Sequence, residues 1–171
     1  MASNLEFIST TNCNSGATTL TVDNIFNHGY NIYFVTITGL QIDGNRSPYM
    51  RFLDSSGSPV TTANYDRASL AMFSGSGFGE YKGENQTEIY YIPSLYINGG
   101  LLNSFTSFYV YNAEDTSTHT YITAQGGDNV ATAIGIRTVA GLKVAAAHRG
   151  IQFTVPTDDF IEGSITAYGV K

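Results

Sequence analysis

Histidine and cysteine, which most often bind transition metals or supply a nucleophile and its base, are few and scattered in this sequence. The histidines are His28, His119 and His148, and the one cysteine is Cys13. Structural zinc sites take four such ligands, usually in closely spaced pairs, and these residues form no such pair. We therefore predict no metal and no cofactor. We expect the histidines to lie in loops or at strand edges, with His148 solvated beside Arg149.

The small-residue segment SGSGFGE, at positions 74–80, has the composition of a catalytic or phosphate-binding turn but lacks its pattern. A nucleophile elbow requires Gly-x-Ser-x-Gly where a strand meets a helix, and a phosphate loop ends in Gly-Lys-Ser/Thr. Neither is present here. We predict a mobile loop at this segment.

Neighbouring carboxylates occur at residues 114–115 and 158–159. Adjacent side chains point to opposite sides of an extended chain, so neither pair makes the facing carboxylates of a glycosidase. Residues 158–159 and residues 43–45 could offer oxygen ligands to calcium, although turn roles for Asp and Asn explain both segments. We therefore predict no catalytic residue and a protein that is not an enzyme; hydrolysis of capsule polysaccharide is the third hypothesis.

Several tyrosines could stack against sugar rings, as exposed aromatic residues of sandwich folds often do. The candidates are Tyr90, Tyr91, Tyr96, Tyr109 and Tyr111, in a chain that has no tryptophan. The competing interpretation is that these rings pack in the core or in a subunit interface.

The composition limits the kinds of partner. Charged residues make up 13% of the 171 residues, against about 25% in an average soluble domain, and the net charge is −6. A surface poor in charge favours contact with other protein copies, while the acidic balance disfavours nucleic acid and anionic membranes. A single cysteine, and an N-terminal sequence without the pattern of a secretory signal, predict folding in a reducing compartment.

The elements that must position these residues are β-strands. The chain contains 12 Tyr and 10 Phe, and turn residues interrupt its apolar segments at short intervals. We predict one all-β domain over residues 1–171, an antiparallel β-sandwich that is jelly-roll-like and has little helix beyond one possible turn at residues 144–148. The predicted strands are 5–9, 18–22, 30–38, 48–53, 66–73, 87–97, 105–112, 118–124, 130–139, 150–155 and 160–169.

Two of these strands, 30–38 and 105–112, are apolar on both faces, whereas 150–155 alternates cleanly between apolar and polar residues. A sandwich strand in water needs one apolar face, so the second face is covered either by loops or by another subunit. The residues that we assign to a possible subunit interface are Tyr33, Val35, Ile37, Tyr109 and Tyr111.

The order of short segments resembles a group of small β-rich virion proteins of tailed bacteriophages. The segments are DNIF at 23–26, YMRFL at 49–53, SSG at 55–57, GIQF at 150–153, and EGSI and YGV near the C-terminus. The resemblance implies a structural role as a capsid decoration protein, a head knob or fibre, or the tip of a tail fibre.

Within this resemblance we favour a capsid decoration or cement protein that binds and stabilises the shell. Its partner would be the major capsid protein or another virion protein, and it would form a homo-oligomer, with a trimer favoured because capsomer junctions have that symmetry. It would be assembled into the virion in the cytoplasm of the host bacterium. The alternative is a tail-fibre or receptor-binding module that holds host surface glycans in loops such as 74–86 or 112–118.

Overall fold

The computed structural model describes residues 4–44, 47–90, 105–129 and 133–171. Within these residues the chain forms eleven strands. In chain order they are β1 (Leu5–Asn12), β2 (Thr19–Val22), β3 (Ile32–Ile42), β4 (Tyr49–Leu53), β5 (Tyr65–Phe73), β6 (Gly77–Gln86), β7 (Phe105–Tyr111), β8 (His119–Asn129), β9 (Ala133–Ala145), β10 (Gly150–Thr154) and β11 (Phe160–Val170).

The strands form two antiparallel sheets. The larger sheet has eight strands in the order β1-β11-β3-β7-β8-β9-β5-β6, and the smaller has three in the order β2-β10-β4. This arrangement confirms the prediction of an all-β, antiparallel, sandwich-like fold. It does not confirm the jelly-roll part of that prediction, since a jelly roll distributes eight strands over two Greek keys. We call the side of the eight-stranded sheet that lies against the three-stranded sheet its inner face, and the opposite side its outer face.

The inner face and the three-stranded sheet share one continuous hydrophobic core. The aromatic rings of Phe26 and Tyr33 meet edge to face, with centroids 5.0 Å apart, and Phe52 stacks on Tyr65 at 6.4 Å. Phe153, from the middle strand of the smaller sheet, is also fully buried. Each such side chain contributes roughly 1.5–3 kcal/mol by leaving water, so the two sheets are held together mainly by these rings and the aliphatic residues between them.

The predicted subunit interface is wrong for its three residues on β3. Tyr33, Val35 and Ile37 are fully buried in the core, so they cannot contact a partner of the folded protein. The opposite parity, which includes Phe34, lies on the outer face. The prediction failed because both parities of this strand are apolar, so the sequence does not show which of them the three-stranded sheet covers.

An irregularity in the pairing of β3 with β11 allows both strands to place side chains in the core along their whole length. The burial of β3 changes from odd to even positions at Gly39, where φ is +60°. The pairing of β11 with β3 shifts register on either side of Glu162, and the second shift spans Gly163, where φ is +127°. As a result Phe160 is fully buried before the irregularity and Ile165 after it, whereas Ile161, which the alternation predicts to be in the core, is half-buried.

Strand β6 replaces most of the predicted loop at residues 74–80. A short turn at 74–76 leads directly into Gly77–Gln86, which pairs with β5 at one edge of the large sheet. The side chains of Glu80, Lys82 and Glu84 are exposed along this edge strand, which protects its unpaired backbone from pairing with other chains.

Two further predictions change at the ends of strands. Residues 144–148 form no helical turn, because β9 continues to Ala145. In the strand predicted at 87–97, Ile89 makes a single bridge to Met50, and residues 91–97 lie outside the described residues. The described part of the chain contains no apolar helix that could cross a membrane.

Candidate interaction surface

The outer face of the eight-stranded sheet carries every large apolar side chain that is exposed among the described residues. Phe78 is 75% exposed, Phe105 61% and Val139 57%. The complete set is Leu5, Phe7, Leu70, Met72, Phe78, Phe105, Tyr109, Tyr121 and Val139. Scattered exposed apolar residues are normal on a protein surface, but their concentration on one face is typical of a surface that contacts a partner.

Strand register explains why these side chains share a face. Phe7 is opposite Tyr168, Tyr168 is opposite Phe34, and Phe34 is opposite Tyr109. Successive ring centroids lie 6.1, 6.2 and 4.8 Å apart. Cross-strand aromatic pairs of this kind stabilise a sheet by roughly 0.2–1 kcal/mol each. The row of rings therefore contributes to stability while leaving apolar surface in contact with water.

The middle of the outer face is concave and forms a cleft of about 760 Å³, which we call the central cleft. Its lining joins Phe34 and Tyr109 on one side to Leu70 and Val139 on the other, with Gln125 between them. A surface that combines aromatic, aliphatic and amide groups can pack against apolar groups of a partner and form hydrogen bonds with its polar groups.

Charged side chains line the end of the central cleft nearest the β6 edge. Lys82 and Glu80 come from β6, and Arg137 comes from β9. Leu70 of β5 lies between them, since it is opposite Glu80 on one neighbouring strand and opposite Arg137 on the other. This end of the cleft therefore presents charged side chains next to an apolar one.

The predicted interface residues divide between the two faces of the sheet. Tyr109 and Tyr111 lie on the outer face, with ring centroids 6.4 Å apart, and Tyr111 shares a hydrogen bond of 3.3 Å with Thr123. The three predicted residues of β3 lie in the core, as described above. Leu70 and Val139 were not predicted, and the sequence pattern gives no signal for them, because their strands turn the polar Ser69 and Thr138 inward and these apolar residues outward.

Tyr90, another tyrosine proposed for sugar binding, does not lie on the outer face. The Tyr90 ring packs at a tilt against that of Tyr49, with centroids 4.8 Å apart, and lies under the guanidinium of Arg67, 5.8 Å from the ring centroid. Tyr91 and Tyr96 lie outside the described residues. Tyr109 is thus the predicted sugar-stacking residue that the structure places in the central cleft.

The prediction that His148 is solvated is wrong. It is 2% exposed, stacks on Phe52 at 5.2 Å, and neither ring nitrogen has a hydrogen-bond partner. Burial lowers the pKa of this imidazole, against smaller raising effects from the Leu53 carbonyl and the Asp54 carboxylate. The ring borders a second, smaller cavity of about 280 Å³ that Glu114 also lines. His28 and His119 are exposed, as loop or edge positions require.

The structure brings together the two acidic segments that we considered for calcium. The Asp43 carboxylate accepts a hydrogen bond of 2.7 Å from the backbone N–H of Asp159, and the Asp43 N–H donates to the Asp159 carbonyl at 3.0 Å. These bonds give Asp43 a role in joining two loops. Among the described residues, no group of three or more His, Cys, Asp or Glu residues could hold a metal ion; Asn45 lies outside them.

Comparison with known proteins gives no relative from which a function could be transferred. No family model matches the chain, and no curated protein or solved structure shows significant similarity to it.

Proposed function

We propose that this chain is a structural protein of a bacteriophage virion, a capsid decoration protein that binds the shell through the outer face of its eight-stranded sheet. The observation that carries the proposal is that all nine exposed large apolar side chains of the described residues lie on that face. The resemblance of the segment order to small virion proteins supplies the biological setting, and the low charge of the chain agrees with it.

The size of the outer face suits a stable protein contact. Eight strands spaced by about 4.8 Å, over the 7 residues of β7, the shortest of them, give a face of at least roughly 34 by 23 Å. This area is close to the roughly 800 Å² that each partner buries in a standard interface. Burial of apolar surface provides roughly 25 cal/mol per Å², from which the cost of association must be subtracted.

The shape of the face indicates that its partner is a different surface. Two concave faces placed against each other would enclose an unfilled space at the central cleft, and unfilled space forfeits packing energy. A convex part of another virion protein, such as the major capsid protein, fits better. A homotrimer on a local three-fold axis of the shell would place three such faces on equivalent sites.

The alternative function is that of a tail-fibre or receptor-binding module. The observation that favours it is the lining of the central cleft, where Phe34 and Tyr109 offer ring faces beside Gln125 and Thr123. Aromatic rings beside amide and hydroxyl groups are suited to sugar rings and their hydroxyls. This alternative predicts selective binding of host surface glycans.

Co-sedimentation with purified capsids tests the proposal. The protein would be mixed with empty shells of the phage whose genome encodes it, as wild type and as the double variant Leu70→Asp/Val139→Asp. Two charges in the apolar part of the outer face should weaken binding at least tenfold. The control is Thr19→Asp, at an exposed position on β2 of the smaller sheet, which should bind like wild type.

The same preparations would be applied to a glycan array. Wild-type binding to capsids that the double variant loses and Thr19→Asp retains supports decoration through the outer face. Selective glycan binding without capsid binding would replace the proposal by the receptor-binding alternative. Capsid binding that is equal in all three proteins would contradict the assignment of the outer face.

A further inference from the structure

The central cleft contains two basic side chains that, unlike four others among the described residues, form no ion pair with a described carboxylate. Four of the described basic residues form ion pairs with carboxylates, namely Arg51, Lys143, Arg149 and Lys171. Arg67 donates to the backbone carbonyls of Tyr90 and Lys82. Lys82 and Arg137 make no ion pair with a described residue, and both line the central cleft.

This placement matters because the chain as a whole is acidic, with a net charge of −6. Carboxylates outnumber basic residues in this chain, 14 to 8, so acidic partners for basic side chains are plentiful. The described residues that line the central cleft instead have a net charge of +1, from Lys82 and Arg137 against Glu80. The cleft is thus a local exception to the charge of the molecule.

An apolar floor separates the two cations. Ala68 of β5 is opposite Lys82 on β6 and opposite Val139 on β9. Leu70, two residues along β5 and therefore on the same face, is opposite Arg137. Lys82 and Arg137 consequently stand on either side of a surface formed by Ala68, Leu70 and Val139.

We propose that the central cleft docks a convex segment of the partner virion protein that carries an aspartate or glutamate beside an apolar side chain. The apolar side chain would pack on Leu70 and Val139, and the carboxylate would bond the guanidinium of Arg137 and the ammonium of Lys82. Arg presents a planar fork of donors that matches a carboxylate, and Lys adds a second positive charge. This inference rests on the proposed function and names the chemistry of the partner at the same surface.

Other occupants fit these observations less well. A nucleic acid would require a larger basic surface than these two cations provide. An acidic glycan would use the same cations, but it would leave the aliphatic floor and the exposed Phe78, Phe105 and Met72 around it without an apolar partner. A protein segment accounts for the apolar and the charged groups together.

The test is the affinity for capsids of the double variant Lys82→Gln/Arg137→Gln at low and at moderate salt. Its matched control is Arg51→Gln/Arg149→Gln, which removes the same number of positive charges at sites on or next to the smaller sheet, away from the outer face. We expect the cleft variant to bind at least tenfold more weakly at about 50 mM salt and to lose most of the salt dependence of binding, because exposed charge pairs are screened by salt. The control should stay within about twofold of wild type.

A conservative variant, Lys82→Arg/Arg137→Lys, should retain most of the affinity and shows whether charge is the property recognised. Circular dichroism of each variant distinguishes weak binding from unfolding. If wild type binds capsids and the cleft variant binds them equally well with the same salt dependence, the inference is overturned while the proposed function stands.

If wild type does not bind capsids at all, the proposed function fails and the inference fails with it. An acidic oligosaccharide, oligogalacturonate, serves as the probe for the other class of ligand, with neutral maltohexaose as its reference. Selective binding of oligogalacturonate that the cleft variant abolishes, with capsid binding unchanged, would overturn the inference in favour of a glycan site.

Discussion

The hydroxyl of Tyr33 donates a hydrogen bond to the carboxylate of Glu114, joining the core of the large sheet to the loop between β7 and β8. The same carboxylate oxygen accepts the backbone N–H groups of His28, at 3.1 Å, and Gly29, at 2.9 Å. Burial, followed by this bond to Glu114, raises the pKa of Tyr33 to about 12. Glu114 therefore holds two loops at one end of the sandwich against a buried ring.

Replacing Glu114 by alanine should lower the free energy of unfolding by about 2–3 kcal/mol, because it leaves the Tyr33 hydroxyl and the Gly29 N–H without their acceptor. Glutamine keeps an acceptor oxygen, so Glu114→Gln should cost only about 1 kcal/mol. Urea unfolding followed by fluorescence measures both values. Glu162→Ala, at an exposed position on β11, is the control and should change stability by less than about 0.5 kcal/mol. Equal stability of Glu114→Ala and wild type would show that this carboxylate has no structural role.

His148 should make the protein sensitive to mild acid. Its folded-state pKa is lowered below the ordinary value of 6.5, mainly by burial. The unfolded chain therefore binds the proton at a higher pH than the folded protein does, so stability falls as the pH falls below about 6.5. Thermal unfolding at pH 7.5 and at pH 5.5 should show this loss, with part of it due to His148.

The variant His148→Phe isolates that part. A phenyl ring preserves the stacking on Phe52 and removes two buried nitrogens that have no partner, so the variant should be as stable as wild type at pH 7.5, or more stable by about 1 kcal/mol. It should lose less stability than wild type at pH 5.5. His119→Phe, which changes an exposed histidine of β8, should keep the acid response of wild type. An identical response in wild type and His148→Phe would show that other groups cause the acid sensitivity.

Strands with a clear alternation were predictable from the sequence. In β10, Ile151 and Phe153 are buried and Gln152 is half-buried, as the pattern indicates. These assignments succeed because a period of two residues, combined with clear polarity, leaves one way to face a core.

The face of β3 could not be assigned in the same way. Tyr33 and Phe34 are both large and aromatic, so local pattern gives no preference between them. The choice is made by residues distant in sequence, since the smaller sheet that covers Tyr33 is built from β2, β4 and β10. The interface residues that we assigned to this strand therefore fell on the wrong parity, while those on β7 fell on the outer face.

Strand β6 and the burial of His148 escaped prediction for other reasons. In β6, glycines at 77, 79 and 83 lower the strand propensity, although Gly and larger residues do alternate there. The Cβ of a larger residue at Gly79 would lie 3.1 Å from the ring of Phe73, so close packing explains that glycine. His148 is buried against the ring of Phe52, a residue of β4 that is distant from it in the sequence.

Gly163 should tolerate no side chain. Its φ is +127°, and an added Cβ would lie 2.5 Å from the Cα of Leu40. Gly39, in the same irregularity, has φ of +60° but nothing within 4 Å of an added Cβ. Gly39→Ala should therefore cost about 1–2 kcal/mol from the left-handed backbone alone. Gly163→Ala should cost at least about 1 kcal/mol more, because the backbone of β3 must also move. Urea unfolding of both variants measures the difference, and equal losses would contradict the close approach of the two strands.

Two phenylalanines on β7 offer the sharpest distinction between the inner and outer faces. Phe108 is 1% exposed and packs in the core, whereas Phe105 lies on the outer face. Phe108→Ala should lower the free energy of unfolding by about 3–5 kcal/mol, through lost burial and the cavity that remains. Phe105→Ala removes a ring that already contacts water, so its cost should be below about 1 kcal/mol.

Binding to capsids should respond differently to the same two substitutions. Under the proposed function, Phe105→Ala weakens binding because the partner covers that ring, while its unfolding curve stays close to that of wild type. Phe108→Ala shifts the unfolding curve, but the fraction that remains folded presents an unchanged outer face and binds normally. A Phe105→Ala protein that is as destabilised as Phe108→Ala would mean that this ring belongs to the core. Such a result would remove the apolar outer face as the basis for partner binding.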